Sequence, residues 1–402
     1  MTCPKQMVYG PCAGVTAEGG CEVDAALPCP FVDAPTVRWV GPVATAAPAE
    51  GSPTRPRTPG ADDATRASAS GTAGAAATRA SMSGAAGAAA TRASMSGAAA
   101  RATHASASGA AARASGASGA DGAAGAAAAG WAATRPFVLA DLPTAPLDRS
   151  ALLRSADLLA DGVDAVLIGD HPGARVQFPP SYRALLLRDR GVAVWAGLNC
   201  RDRNRVALEG ELAALADAGA AAVHCVTGDH TAIGHRPDAA PVFDLDATRL
   251  AALARAAGLL VSVAESPCAR PAARRPARLA EKVRAGAQVC VVNHAGGRSP
   301  VAEFVAAGPE IPYIACVPVV LGTAQARLLA AFPGLVLPPG FLAGILDARD
   351  PVVAGIDAAV RLAEELLDVP GVQGVDLGAV PAKGEEDTTC RALATVGHAL
   401  RG

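Results

Sequence analysis

The chain has 402 residues, with 35 Lys and Arg against 37 Asp and Glu and a formal net charge of −2. That balance leaves no basic footprint for a polyanion, so nucleic acid is not an expected partner. Hydrophobic residues make up 51% of the chain, a figure inflated by alanine but compatible with a substantial core. The longest apolar stretch, Ile311 to Ala324, contains two prolines and is too short to span a bilayer, and no segment reads as a secretory leader. A soluble cytoplasmic protein is expected.

In chain order, the first feature is a cysteine cluster. Cys3, Cys12, Cys21 and Cys29 are four of the ten cysteines, separated by eight, eight and seven residues among Gly-rich and Pro-rich turns. In a reducing compartment such thiols read as metal ligands rather than disulfide partners. Four thiolates suit Zn²⁺ or a [4Fe-4S] cluster about equally, and unliganded reduced thiols remain the alternative. The other six cysteines, Cys200, Cys225, Cys268, Cys290, Cys316 and Cys390, end or interrupt apolar runs and read as buried structural thiols.

The cysteine module spans residues 1–43, and residues 44–134 follow as a tract of Ala, Gly, Ser, Thr and Arg. Ala77-Thr78-Arg79-Ala80-Ser81-Met82-Ser83-Gly84 recurs from Ala90 to Gly97, a period of 13 residues. No copy carries the large apolar residues that a solenoid repeat buries against its neighbour. The tract is expected to be a disordered linker with an end-to-end distance on the order of 50 Å, letting the module dock or float.

From Arg135 the texture changes to short apolar runs alternating with amphipathic stretches. Eight strands are predicted: Phe137 to Ala140, Ala165 to Ile168, Val192 to Leu198, Ala222 to Val226, Leu259 to Ala264, Val289 to Val292, Tyr313 to Val317 and Val372 to Leu377. Helical stripes lie between them, such as Leu208, Leu212, Leu215 and Ile356, Val360, Ala363, Leu367. Eight strand–helix alternations over residues 135–402 predict an α/β fold, a (β/α)8 TIM barrel. An open doubly wound sheet is the alternative, but no GxGxxG or Walker sequence supports it.

Barrels of this type carry their sites at the C-terminal ends of the strands. The residues there are Asp141, Asp170, Asn199-Cys200, Thr227-Gly228-Asp229, Glu265 and Asn293-His294. Acids and amides converging on one rim point to a polar site, although Asp170 and Glu265 read more readily as helix caps.

The motifs also carry a family resemblance. The order Cys3-Pro4-Lys5, Gly10-Pro11-Cys12-Ala13-Gly14, Gly20-Cys21-Glu22 and Cys29 resembles the small cysteine-rich module found with methylenetetrahydrofolate reductases, where it usually follows the barrel. Asn199-Cys200-Arg201-Asp202-Arg203-Asn204 and Val226-Thr227-Gly228-Asp229-His230 resemble a motif pair of that family's barrel. Gly162-Val163-Asp164-Ala165, Asp170-His171-Pro172, the run Glu281 to Ala287, and Asp350-Pro351 fall in the matching order.

The resemblance implies a barrel that holds FAD and reduces 5,10-methylenetetrahydrofolate to 5-methyltetrahydrofolate with NAD(P)H as co-substrate. It places a general acid at Asp141, where the family has glutamate, and a flavin-tuning carboxylate at Asp229. Asn199, Gly228 and Lys282 fall at or beside flavin-contact positions, and Asn293 stands where a glutamine fixes the pterin. Two departures bear on the flavin: Gly197 replaces a histidine, and Thr227 replaces an arginine beside the cofactor's diphosphate. A second reading is a flavin-free folate- or corrinoid-associated binding protein with the metal module as a docking element. Compatible partners are an electron-donor or methyltransferase protein and a second copy of the chain.

Overall fold

The structure, a computed structural model, describes residues 3–42, 136–143, 147–169, 176–330 and 335–402. The predicted linker, residues 44–134, and Asp170-His171-Pro172 lie outside the described residues.

The eight predicted strands form. They are β1 (Phe137–Asp141), β2 (Ala165–Ile168), β3 (Ala193–Asn199), β4 (Ala222–Val226), β5 (Val261–Glu265), β6 (Val289–Val292), β7 (Tyr313–Pro318) and β8 (Val372–Gly378). All neighbours pair in parallel, and β8 closes on β1. The helices are α1 (Arg149–Leu159), α2 (Pro180–Leu187), α3 (Arg205–Asp217), α4 (Ala247–Ala256), α5 (Arg275–Ala285), α6 (Arg298–Ala307), α7 (Thr323–Ala330), α8 (Phe341–Leu346), α9 (Pro351–Leu367) and α10 (Glu386–Arg401). The fold is a TIM barrel.

Strands covered on both faces read as unbroken apolar runs, because helices lie outside and packed side chains lie inside. The two faces separate in the packing. Val138, Ala140, Val166, Ile168 and Val223 join the helix faces in the outer core, whereas Leu139, Ala165, Leu167, Trp195, Ala222, Val289, Val291 and Ile314 fill the barrel. Trp195 and Phe137 plug its base, their rings 5.6 Å apart. By the same alternation Asp141, His224, Cys316 and Asp376 point inward, since Leu139 pairs with Asp376 and Cys316 with Asp376 across β1, β7 and β8.

Helix starts follow local chemistry. Asp148 caps α1 through the Ala151 N–H, Asn204 caps α3 through Ala207, and Asp350 with Pro351 opens α9. Asp350-Pro351 is thus a helix start. In α3 the predicted stripe Leu208, Leu212, Leu215 is buried. In α9 the buried line is Gly355, Ala359, Leu362, Ala363 and Leu366, so Ile356, Val360 and Leu367 only flank the core. The helix turns this way because Gly355 lies against the Val320 carbonyl, where a Cβ would come within 1.9 Å of the oxygen.

The cysteine module has little secondary structure. Bridges between Val15 and Cys21 and between Gly20 and Pro28 hold it, and it packs on the barrel. Asp246, wholly buried at the start of α4, accepts from the Thr248 and Arg249 N–H groups with one oxygen and from the Val8 and Tyr9 N–H groups with the other. Arg275 donates to the Pro11 and Cys12 carbonyls, and Arg274 reaches the Val32, Asp33 and Ala34 carbonyls. The Trp39 N–H meets Glu281 at 2.7 Å, and the Trp39 ring lies 5.3 Å from Tyr9. Of the two states allowed by the sequence, the structure shows the docked one.

Candidate functional site

A cavity of about 290 Å³ opens at the C-terminal end of the barrel. Its polar lining comes from Asp141 of β1, His224 of β4, Asn293 and His294 after β6, Cys316 of β7, Gln325 of α7 and Asp376 of β8. Val319, Val320, Leu329, Leu335 and Val380 supply apolar wall. Among the described residues, no lysine or arginine lines it.

The electrostatics of this cavity are unusual. Burial raises Asp141 well above the ordinary carboxylate range, and the neighbouring Asp376 charge raises it further. Burial also raises Asp376, partly offset by the Cys316 thiol, whose Sγ lies 3.6 Å from Asp376 Oδ2. The other oxygen, Asp376 Oδ1, is buried without a hydrogen-bond partner. Burial lowers both His224 and His294 to about 4, so both imidazoles are neutral at pH 7. His224 Nδ1 is hydrogen-bonded to Ser262 Oγ at 2.9 Å. A Cβ at Gly378 would stand 3.4 Å from Asp141 Oδ2 and 3.9 Å from His294 Nε2, so acid and imidazole flank that glycine.

Asn293 is anchored but not exhausted. Its amide nitrogen donates to Ser266 Oγ at 3.2 Å and its oxygen accepts from the His294 N–H at 2.9 Å. An amide has two donors and two lone pairs, so one of each remains for a ligand.

Of the residues singled out in the sequence, the cavity brings together Asp141, Asn293 and His294. It leaves out Asn199, Gly228, Asp229 and Lys282. Asn199 is buried, and its side-chain oxygen accepts from the Arg201 N–H at 2.9 Å. Lys282 is 2% exposed and donates to Glu265 Oε2 at 2.8 Å, where Arg275 at 3.1 Å and Arg278 at 2.7 Å also converge. Glu265 is therefore the centre of a buried ionic cluster and not a helix cap. Asp229 lies within electrostatic reach of Lys5, whose ion pair with Glu22 is buried in the module, and Glu22 also accepts from the His230 N–H at 3.1 Å. Thr227 uses its hydroxyl to hold the Ala247 N–H at 3.1 Å. With Lys282 and Asn199 committed inside the protein and the module beside Asp229, these residues as placed do not form an open cradle for a flavin.

Cys3, Cys12, Cys21 and Cys29 are all half-buried free thiols. They lie within electrostatic reach of one another: Cys12 feels Cys3, and Cys29 feels Cys3 and Cys21. Among the described residues no three His, Cys, Asp or Glu side chains converge with metal-ligand geometry. Four thiols are a donor set of the kind soft metals take.

Four polar cavity residues were missed in the sequence: His224, Cys316, Gln325 and Asp376. Asp376 is the one with a visible signal, an acid between Val375 and Leu377 in the predicted strand Val372 to Leu377. Cys316 and His224 read as core residues and are placed at the cavity by the alternation of β7 and β4.

Fold and cavity define a (β/α)8 barrel protein with an acid-lined site at its C-terminal face. Residues 1–38 match the family model described as methylene-tetrahydrofolate reductase C terminal. The comparison with curated proteins finds no match. Among solved structures, the chain resembles a protein from Clostridium thermocellum that binds two copies of 5-methyl-5,6,7,8-tetrahydrofolic acid, at 11% identity over 65% of this chain and 94% of that one, TM-score 0.49. It also resembles tryptophan synthase from M. tuberculosis, at 16% identity over 71% and 100%, TM-score 0.42. A third is dihydropteroate synthase from Thermus thermophilus, at 20% identity over 65% and 92%, TM-score 0.38. At these TM-scores the matches add nothing to the topology read from the strands. No helix among the described residues is long and apolar enough to cross a membrane.

Proposed function

We propose that the barrel binds a reduced folate and reduces its 5,10-methylene bridge to a 5-methyl group, a methylenetetrahydrofolate reductase-like activity. One observation carries this reading: a carboxyl at the end of β1, raised well above the ordinary carboxylate range by burial and by Asp376, in a cavity without a cation among its described lining and beside a half-satisfied amide. The family match of residues 1–38 supports it independently.

The cavity is at the small end of ligand pockets and takes the bicyclic head of a folate, leaving the glutamyl tail outside. Asn293 presents its remaining donor and acceptor to the pterin edge, and the apolar wall of Val319, Val320 and Leu329 covers a ring face. Asp141 gives its proton to N10 as the C–N10 bond breaks, and the bridge carbon becomes an N5 iminium. A hydride from a reduced nicotinamide dinucleotide then adds to that carbon, forming the methyl group and oxidised nicotinamide. Asp141 recovers its proton from solvent, so one hydride and one proton are consumed. General acid catalysis of this kind contributes roughly 10²–10⁴-fold.

A second reading is favoured by the committed Lys282 and Asn199: a barrel that binds folate without flavin and turns nothing over. The deciding experiment incubates the full chain with 5,10-methylenetetrahydrofolate and NADH or NADPH, with and without FAD, and follows 5-methyltetrahydrofolate by mass. Product formation supports the reductase. Tight folate binding without product supports the second reading, and absence of both binding and product overturns the folate assignment.

A further inference from the structure

The mechanism uses Asp141 and leaves Asp376 unexplained. Asp376 lies in the C-terminal half of β8 between Val375 and Leu377, is 5% exposed, and has one oxygen without a partner. An isolated buried carboxylate is costly, so such a group persists only with a proton, a cation or a ligand to compensate it. Both carboxyls line the same cavity from adjacent strands, pointing to the same side.

We propose that Asp376 is the positioning residue of the acid: Asp141 and Asp376 share one proton, and the Asp376 carboxylate keeps that proton on Asp141 at neutral pH. The assignment rests on the folate reading only for what the proton is used on; the shared proton is a property of the unliganded protein.

Every described group that faces the pair fits this arrangement. From β7, the Cys316 thiol donates to Asp376 Oδ2 and favours the charge on Asp376. The thiol is itself raised by burial and by both aspartates, so it holds its proton. From β4 and the end of β6, His224 and His294 are neutral and add no positive charge. Asn293 and Gln325 are uncharged, and the cavity lining among the described residues includes no lysine or arginine. Two carboxyls in such a site cannot both ionise, and the one with a hydrogen-bond donor takes the charge. Asp376 has that donor. Its charge then also faces the iminium cation formed when Asp141 loses its proton, where a fixed negative group is favourable.

The test is Asp376→Asn in the full chain, which keeps the shape and removes the charge. In ¹³C-carboxyl NMR, with Asp141→Asn used to assign the signal, Asp141 titrates at least ~1 pH unit lower in Asp376→Asn than in the native protein, as expected when a neighbouring like charge is removed. The alkaline limb of the reductase pH profile moves down by the same amount, because the reaction needs Asp141 protonated. Asp376→Glu restores both. An Asp141 titration that does not move overturns the proposal even if folate reduction is normal. A titration that shifts as expected in a protein without reductase activity leaves the shared proton standing and removes the folate reading. If Asp376→Asn fails to fold, the native protein alone decides: at pH 7 the aspartate pair must show one protonated and one ionised carboxyl, and two fully ionised signals there sink the idea.

Discussion

Replacing Glu265 with glutamine removes the charge that three buried cations share while keeping the side chain's size. Arg275, Arg278 and Lys282 all bond to this carboxylate, and none of the four side chains is more than 6% exposed. Their charges outweigh the cost of burying Glu265 and hold its carboxyl well below the ordinary range. Taking one partner from a buried ion pair costs roughly 3–5 kcal/mol, because the remaining charge is left uncompensated. Three cations remain here, but the responses differ. Lys282, already lowered to about 8 chiefly by burial, can shed its proton, whereas the two arginines cannot. Arg275 keeps the Ala269, Arg270, Pro11 and Cys12 carbonyls as acceptors, and the glutamine oxygen still accepts one bond. The expected loss is therefore about 3 kcal/mol, the low end of that range. Urea unfolding followed by tryptophan fluorescence reads it. Because Arg275 also grips the module, the module's protease protection falls together with barrel stability. A loss below about 1 kcal/mol would show that the cluster is solvated and refute the ionic account of module docking.

Asp246→Ala removes a helix cap and two module contacts at once, leaving four N–H groups without their acceptor. A cap is worth about 1 kcal/mol and each stranded buried donor costs about 1–3 kcal/mol, so a loss of at least ~2 kcal/mol is expected in the same unfolding assay. The histidines predict an acid limb. His224 and His294 have folded values of about 4, below the unfolded 6.5, so their stability is complete above pH 6.5 and lost as pH falls toward 4. Each contributes on the order of 3 kcal/mol, and His224→Gln flattens the stability profile between those values. Elemental analysis of the purified full chain finds zinc or iron bound through Cys3, Cys12, Cys21 and Cys29, and Cys12→Ser with Cys21→Ser removes it; a native chain without metal counts against those ligands.

The strands were legible because each is a short, continuous apolar run with polar residues at its C-terminal end. Their limits shift by one or two residues where Asp141, Asn199 and Glu265 extend the pairing past the apolar run. The α9 face was misread because a hydrophobic stripe favours Ile356 and Val360, while the actual contact is made through Gly355, a residue with no hydropathy signal. At the site, Asp141 and Asn293 were legible from barrel geometry alone. Asp376 left a signal, an acid inside a strand, but was passed over because Val372 to Leu377 read as a core strand. Lys282 was assigned outward to a cofactor because sequence shows neither the carboxylate 17 residues before it nor the module packed against the same cluster. Contacts between residues more than 200 positions apart, such as Arg275 with Cys12, leave no local signature.

The central claim is that Asp141 delivers a proton to a bound reduced folate. Single-turnover reduction of 5,10-methylenetetrahydrofolate by the full chain, compared with Asp141→Asn, tests it most directly. The account predicts 5-methyltetrahydrofolate from the native protein and a rate at least ~10²-fold lower in the variant, with folate affinity changed far less. Equal rates in the two proteins would contradict it, as would a native protein that binds the folate and leaves its methylene bridge intact.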